Sequence, residues 1–158
     1  VEVLVGMFII SIALVAAFGT AQMSLQSSIR ARDQVTAFYL AQEGFEMLKN
    51  FRDRYATTPN GPFLNTFANN CIAMIPCRID AFVPSPVIKT CSSGTCPPLQ
   101  QDDAGRYQYS DGSDTRFTRS FSIEDTDADE VKVTMTVTWQ QGSRTHTFEA
   151  VNYIANWR

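Results

Sequence analysis

From Val3 to Ala21 the chain runs 19 residues without a charge, most of them Val, Leu, Ile, Phe or Ala. As an α-helix such a run is about 28 Å long, close to the hydrocarbon thickness of a bilayer. A buried core helix is normally shorter, and a cleaved signal sequence carries a basic leader and a shorter apolar stretch. A single membrane-spanning helix is therefore the expectation. The charge pattern sharpens it: of 13 basic and 16 acidic residues in 158, only Glu2 falls within positions 1–29. The mean hydropathy of -0.12 thus averages a nearly charge-free segment with an ordinary soluble domain. A net charge of -3 provides no basic surface for nucleic acid.

Two residues of this segment stand out. Glu2 sits at the edge of the apolar run, where an unpartnered carboxylate is costly once it enters lipid or a dry interface. Either it stays at the headgroups or it meets a positive group from another chain. Gly19, followed by Thr20, is the weak point of the helix, since Gly costs about 1 kcal/mol relative to Ala there.

The helical pattern continues past the apolar run. Ala31, Val35, Phe38, Ala41, Phe45, Leu48, Phe51 and Tyr55 recur every three or four residues and make one face. Arg30, Arg32, Asp33, Glu43, Glu46, Lys49, Arg52 and Asp53 mostly fill the others. The expected role of the stripe is core packing against the rest of the chain, with Val35, Phe38, Phe45 and Leu48 as its helix-to-sheet contacts. The cluster Thr57-Thr58-Pro59-Asn60-Gly61-Pro62 ends the helix.

Val1-Glu2-Val3-Leu4-Val5-Gly6-Met7-Phe8-Ile9-Ile10, followed by Ala13-Leu14-Val15-Ala16-Ala17, resembles the start of type IV pilins and pseudopilins. Phe38-Tyr39-Leu40-Ala41-Gln42-Glu43-Gly44-Phe45-Glu46 is similar to the continuation seen in many bacterial minor pilins. In that family the acid is the fifth residue of the mature chain, behind an N-methylated residue. The resemblance therefore implies about three further residues ahead of Val1 or different processing, with a short basic leader ending in Gly encoded before them. It implies that Glu2 pairs with the terminal amine of a neighbouring subunit during assembly. It also implies that the helix near Ala17–Gln22 breaks or extends inside a filament. The implied partners are sister subunits in a helical homopolymer, the pilus assembly machinery, the inner membrane before assembly and a prepilin peptidase during processing. The implied location is that membrane first, then an extracellular surface filament serving adhesion, motility or DNA uptake. A pseudopilin of a type II secretion system and a single-span surface adhesin or receptor that never polymerises are the alternatives.

All seven prolines and all four cysteines lie in residues 56–105. That composition describes a stapled connection with one short hairpin, for which Cys71–Ile75 and Arg78–Val83 are the strand candidates. The cysteine spacings, with no His nearby, fit zinc sites poorly, so Cys71, Cys77, Cys91 and Cys96 are read as disulfides. Three connectivities can be drawn. The local pairs Cys71–Cys77 and Cys91–Cys96 are preferred because Ser92-Ser93-Gly94-Thr95 is a credible turn.

After Gly105 the apolar period becomes two. Tyr107–Tyr109, Arg116–Ile123, Val131–Trp139 and Thr145–Ile154 are the strand candidates, with turns at Asp125–Glu130 and Gln141–Ser143. Phe117, Arg119, Phe121 and Ile123 share one face, and Phe148, Ala150 and Tyr153 are the packing candidates of the last strand. The expected fold is α+β: a long N-terminal helix on a three- or four-stranded antiparallel sheet, which is also the fold the resemblance implies. Its segments are 1–29, the apolar helix half; 30–55, the amphipathic half; 56–105, the Pro- and Cys-rich connection; and 106–158, the sheet.

Little here supports catalysis. His146 is the lone His, so neither a triad nor a His-based metal site can be built, and phosphate-binding glycine patterns are missing. No enzyme activity and no cofactor are expected. Asp125, Asp127 and Asp129 alternate as calcium loops do, but the Gly and distant Glu of such a loop are missing. Some pseudopilins hold calcium in a sheet loop; an exposed acidic hairpin is the preferred reading. Arg116 and Arg119 flank Phe117, yet the negative net charge argues against DNA.

Overall fold

A computed structural model of the chain describes residues 1–56, 71–72, 75–80, 87–127 and 130–155. One α-helix, α1, spans Glu2–Ala56. Among the described residues eight strands follow: β1 (Cys77–Asp80), β2 (Val87–Thr90), β3 (Gln100–Gln101), β4 (Tyr107–Gln108), β5 (Ser113–Asp114), β6 (Phe117–Asp127), β7 (Glu130–Gln141) and β8 (Arg144–Ala155). The main sheet has five antiparallel strands in the order β2-β1-β6-β7-β8, and β4-β3-β5 make a small second sheet. The chain divides into two compact units, Val1–Thr36 and Ala37–Arg158. The architecture is the α+β one expected from the sequence.

Within the second unit the alternation of β7 puts Val131, Val133, Met135, Val137 and Trp139 in the core, all nearly inaccessible. Phe117, Arg119, Phe121 and Ile123 of β6 are buried beside them, and Phe148 and Ala150 of β8 pack on the same core. The β7–β8 hairpin turns through Gly142, whose φ of 61° lies in the left-handed region that favours glycine. Tyr153 is a correction: it is 53% exposed, and Ile154 takes the inward place. The two residues have opposite parity on a strand, so only one can face the core. The expected turn Asp125–Glu130 is also narrower, because β6 continues to Asp127 through a register shift between Asp125 and Asp127.

The sheet has more strands than the three or four expected. Its extra strands come from the Pro- and Cys-rich segment, where β1 pairs with β2 over four residues and meets β6 at Cys77↔Phe121. Four-residue strands are too short for their alternation to be read with assurance. Cys71–Ile75 is not a strand among its described residues; Ile72 makes only an isolated parallel bridge to Ile123. Ala73, Met74 and residues 81–83 lie outside the described residues, as does the cluster Thr57–Pro62. Both local disulfides are present, Cys71–Cys77 and Cys91–Cys96. The first ties the start of the connection to β1; the second closes a loop around a 3-10 turn at Ser92–Gly94.

β1 pairs with β6 only at Cys77↔Phe121, and carbonyls nearer the start of β6 accept hydrogen bonds from other segments. The Leu99 N–H donates to the Phe117 carbonyl at 2.8 Å. The Tyr109 hydroxyl donates to the Arg119 carbonyl at 2.8 Å, beneath the guanidinium of Arg78, which lies 4.9 Å from the ring centre. Burial pushes the Tyr109 phenol above its ordinary pKa.

The helix row that packs on the sheet is Ala37, Leu40, Ala41, Phe45, Met47, Leu48 and Phe51. Phe45 and Leu48 are buried as expected, whereas Val35, expected beside them, is 53% exposed. Phe38 stands at the margin, half-exposed, with its ring edge-on to Phe148 at 5.9 Å. The reason lies in Gly44. A Cβ there would stand 2.7 Å from Met135 Cε and 2.9 Å from its Sδ. Ala37 and Ala41 are buried on the row that Gly44 brings against Met135, and the larger Phe38 stands at its margin. Asp33, assigned by the charge pattern to an outer face, is buried; the side chain of Tyr55 lies outside the described ones.

Candidate assembly helix

The first unit is helix alone. Within Glu2–Arg54 the most apolar 18-residue window has a mean hydropathy of 2.5 and none of it is buried. Phe8, Ile9, Ile10, Leu14, Val15 and Phe18 are each more than half exposed. The segment is long and apolar enough to cross a membrane.

Its polar groups suit such surroundings. The Ser11 hydroxyl donates to the Met7 carbonyl at 2.8 Å, and Thr20 to the Ala17 carbonyl at 2.9 Å. Each hydroxyl is thus satisfied within the helix, as an apolar medium requires. Glu2 lies in the first turn, where free N–H groups and the helix dipole favour a carboxylate. A Cβ built on Gly6 or Gly19 would meet nothing within 4 Å. Among the described residues no packing demands glycine at either place. The helix runs unbroken through Gly19 and Thr20 in this single chain; the implied break at Ala17–Gln22 concerns the assembled state.

In the second unit a charged junction appears that the sequence reading missed. Arg119 is 2% exposed. Its guanidinium donates to Glu43 Oε2 at 2.9 Å, to the Leu40 carbonyl at 3.1 Å and toward Met47 Sδ at 3.5 Å. Glu43 is one-third exposed, so one end of the pair remains hydrated. Glu43-Gly44 therefore holds the sheet to the helix twice, by a charge partner and by room for Met135 and Arg119. An Arg at an inward position of the β6 alternation was the available signal. Held this way, Arg119 is not presented to a nucleic-acid phosphate.

Other chemistry is sparse. Among the described residues no group of three or more His, Cys, Asp or Glu could hold a metal, and no cysteine is free. The side chains of Asp125 and Asp127, and all of Asp129, lie outside the described residues. His146 stacks on Trp139, its cross-strand partner, with ring centres 5.4 Å apart. Comparison of the chain with protein-family models, curated proteins and solved structures finds no match.

Proposed function

We propose that this protein is a type IV pilin-like filament subunit, held in a membrane by its apolar helix half and polymerising when sister helices replace the lipid. The carrying observation is the wholly unburied 18-residue apolar window on a helix whose later turns form the core of a folded unit. Lipid and a helix bundle both satisfy that apolar surface, so exchanging one for the other provides little hydrophobic driving force. Polar pairing and close packing must select the bundle. Glu2 supplies the first: its carboxylate finds a positive partner, the terminal amine of a neighbour, once lipid is excluded. Gly6 and Gly19, whose missing side chains nothing in the chain would contact, supply approach points for neighbouring helices.

The test is Glu2→Ala and Glu2→Gln in cells that express the chain with its processing and assembly machinery. Electron microscopy and shear fractionation then read filament formation, while membrane extraction reads insertion. Both variants are expected to insert normally and to lose incorporation into filaments. Normal filament incorporation of both would remove the assembly role of Glu2, and an absence of filaments from the unaltered chain would favour the single-span adhesin.

A further inference from the structure

The two edges of the main sheet are unlike. The β2 edge is four residues long and exposes Lys89, two devices that discourage strand pairing. The β8 edge is twelve residues long, without Pro or Lys, and Glu149 is its one charge after Arg144. On the core side of that edge, between β8 and α1, lies a groove of about 390 Å³ lined by Gln42, Phe45, Glu46, Lys49 and Asn152. Farther along the same side stand Phe38 and Phe148, edge to edge. Among the described residues β8 has no strand on its outer side, and only its last carbonyl, Ala155, accepts from a side chain, that of Arg52 at 3.2 Å. This edge and the groove on its core side are independent features. Together they are what a sixth strand would use, its main chain on β8 and alternate side chains in the groove.

We propose that β8 binds an extended peptide from a partner protein as an antiparallel sixth strand. Its side chains follow from the residues opposite. Against Asn152 the inward side chain is polar, reaching Gln42, Glu46 and Lys49; against Ala150 it is small; against Phe148 it is apolar. On the solvent face it is apolar beside Val151, which is 52% exposed, and basic beside Glu149. Read from its N-terminus the peptide is polar, apolar, small, basic, apolar. This inference stands apart from the filament reading, because it uses only residues of the second unit.

A second copy of this chain fits the edge less well. In the fullest β8–β8 registers that keep both cores on one face, Glu149 lies opposite or diagonal to its own equivalent, a repulsive arrangement. The register shifted by one turns the second copy's Glu149 to the face that carries Glu46. Pairing with β2 of another copy covers only four residues and leaves most of β8 open.

The test uses the full chain in detergent micelles, isotope-labelled, with the probe acetyl-Thr-Asn-Val-Ala-Lys-Leu-Thr-amide. Saturable shifts and slowed hydrogen exchange are expected at amides of His146–Ile154. Replacing the probe's Lys by Glu should weaken binding about fivefold, and Glu149→Lys should reverse that order. The proposal is overturned by β8 amides that do not respond at millimolar peptide, or by equal binding of a probe with N-methylated backbone. Concentration-dependent β8 protection without peptide would overturn it too, by making a second copy the occupant.

Discussion

Gly44 allows the helix–sheet contact to be tested with opposing terms of known sign. Gly44→Ala removes a helix-interior glycine, which by itself stabilises by about 1 kcal/mol. The new methyl would stand 2.7 Å from Met135 Cε, 2.9 Å from Sδ and 3.2 Å from Arg119 Cδ. Met135 is 0% exposed and Arg119 2%, so neither has solvent to swing into, and overpacking of this kind costs about 1–3 kcal/mol. The net expectation is a loss of about 1 kcal/mol. Met135→Ala alone should cost about 2–5 kcal/mol through its cavity. In the double variant the methyl added at position 44 enters space vacated by the Met135 thioether, the clash disappears and the propensity gain remains. The two changes should therefore fall short of additivity by about 1–3 kcal/mol. Urea unfolding of the full chain in mild detergent, followed by tryptophan fluorescence, measures all four corners of the cycle. Additivity within about 0.5 kcal/mol would refute the contact, because distant sites behave that way. Gly19→Ala, which adds a methyl to open space, is the control and should leave this transition in place.

Arg119 and Glu43 should respond asymmetrically. Glu43→Ala strands a buried guanidinium and should cost about 3 kcal/mol, whereas Arg119→Met, which removes the buried charge and keeps volume, should stay within about 1 kcal/mol by the same unfolding assay. Leu48, fully buried, should lose about 2–5 kcal/mol on truncation to Ala, while Val35→Ala should stay within about 0.5 kcal/mol, since Val35 is half-exposed. Tyr109 has a folded-state pKa raised by burial, so its contribution is intact below the ordinary phenol range and is lost as pH rises through the raised value. Tyrosinate absorbance against pH should show one phenol of the five ionising only with unfolding; Tyr109→Phe should remove that step.

What the sequence makes legible follows from how many residues share each signal. The nine alternating residues Val131–Trp139 and the charge-free run each repeat one physical message; the first appears as a strand with the alternation as read, the second as a helix long and apolar enough to cross a membrane. The cysteine pairs are legible because five- and six-residue separations leave a turn little freedom. Large residues mark the helix face in the sequence and place its later turns correctly, with Phe45, Leu48 and Phe51 buried, but mislead at Val35 and Phe38. Val35 and Phe38 carry more apolar area than Ala37 or Gly44, but closest approach selects small side chains. The alternation of β6 turns Arg119 inward without revealing the consequence, since only the fold brings Glu43 and the Leu40 carbonyl within reach of it. β1 coincides with the candidate Arg78–Val83 over its described residues, whereas β2 is the hardest, because four residues cannot establish a period.

The two units depend on their surroundings in different ways. The second folds by burying a core that includes Leu48, Phe121, Met135 and Val137, and its charge junction is closed from within by Arg119 and Glu43. The first has no such core, and an isolated helix gains little from its own hydrogen bonds in water. In an apolar medium the same helix becomes obligatory, because no other conformation satisfies the backbone. Ser11 and Thr20, bonded back to their own turns, extend that satisfaction to side chains. The exception is Glu2, whose charge no turn of its own helix can neutralise beyond the partial charge of the N-terminus. Glu2 is the one charge among residues 1–29, and under the filament reading proposed above it is the group that a second molecule pairs.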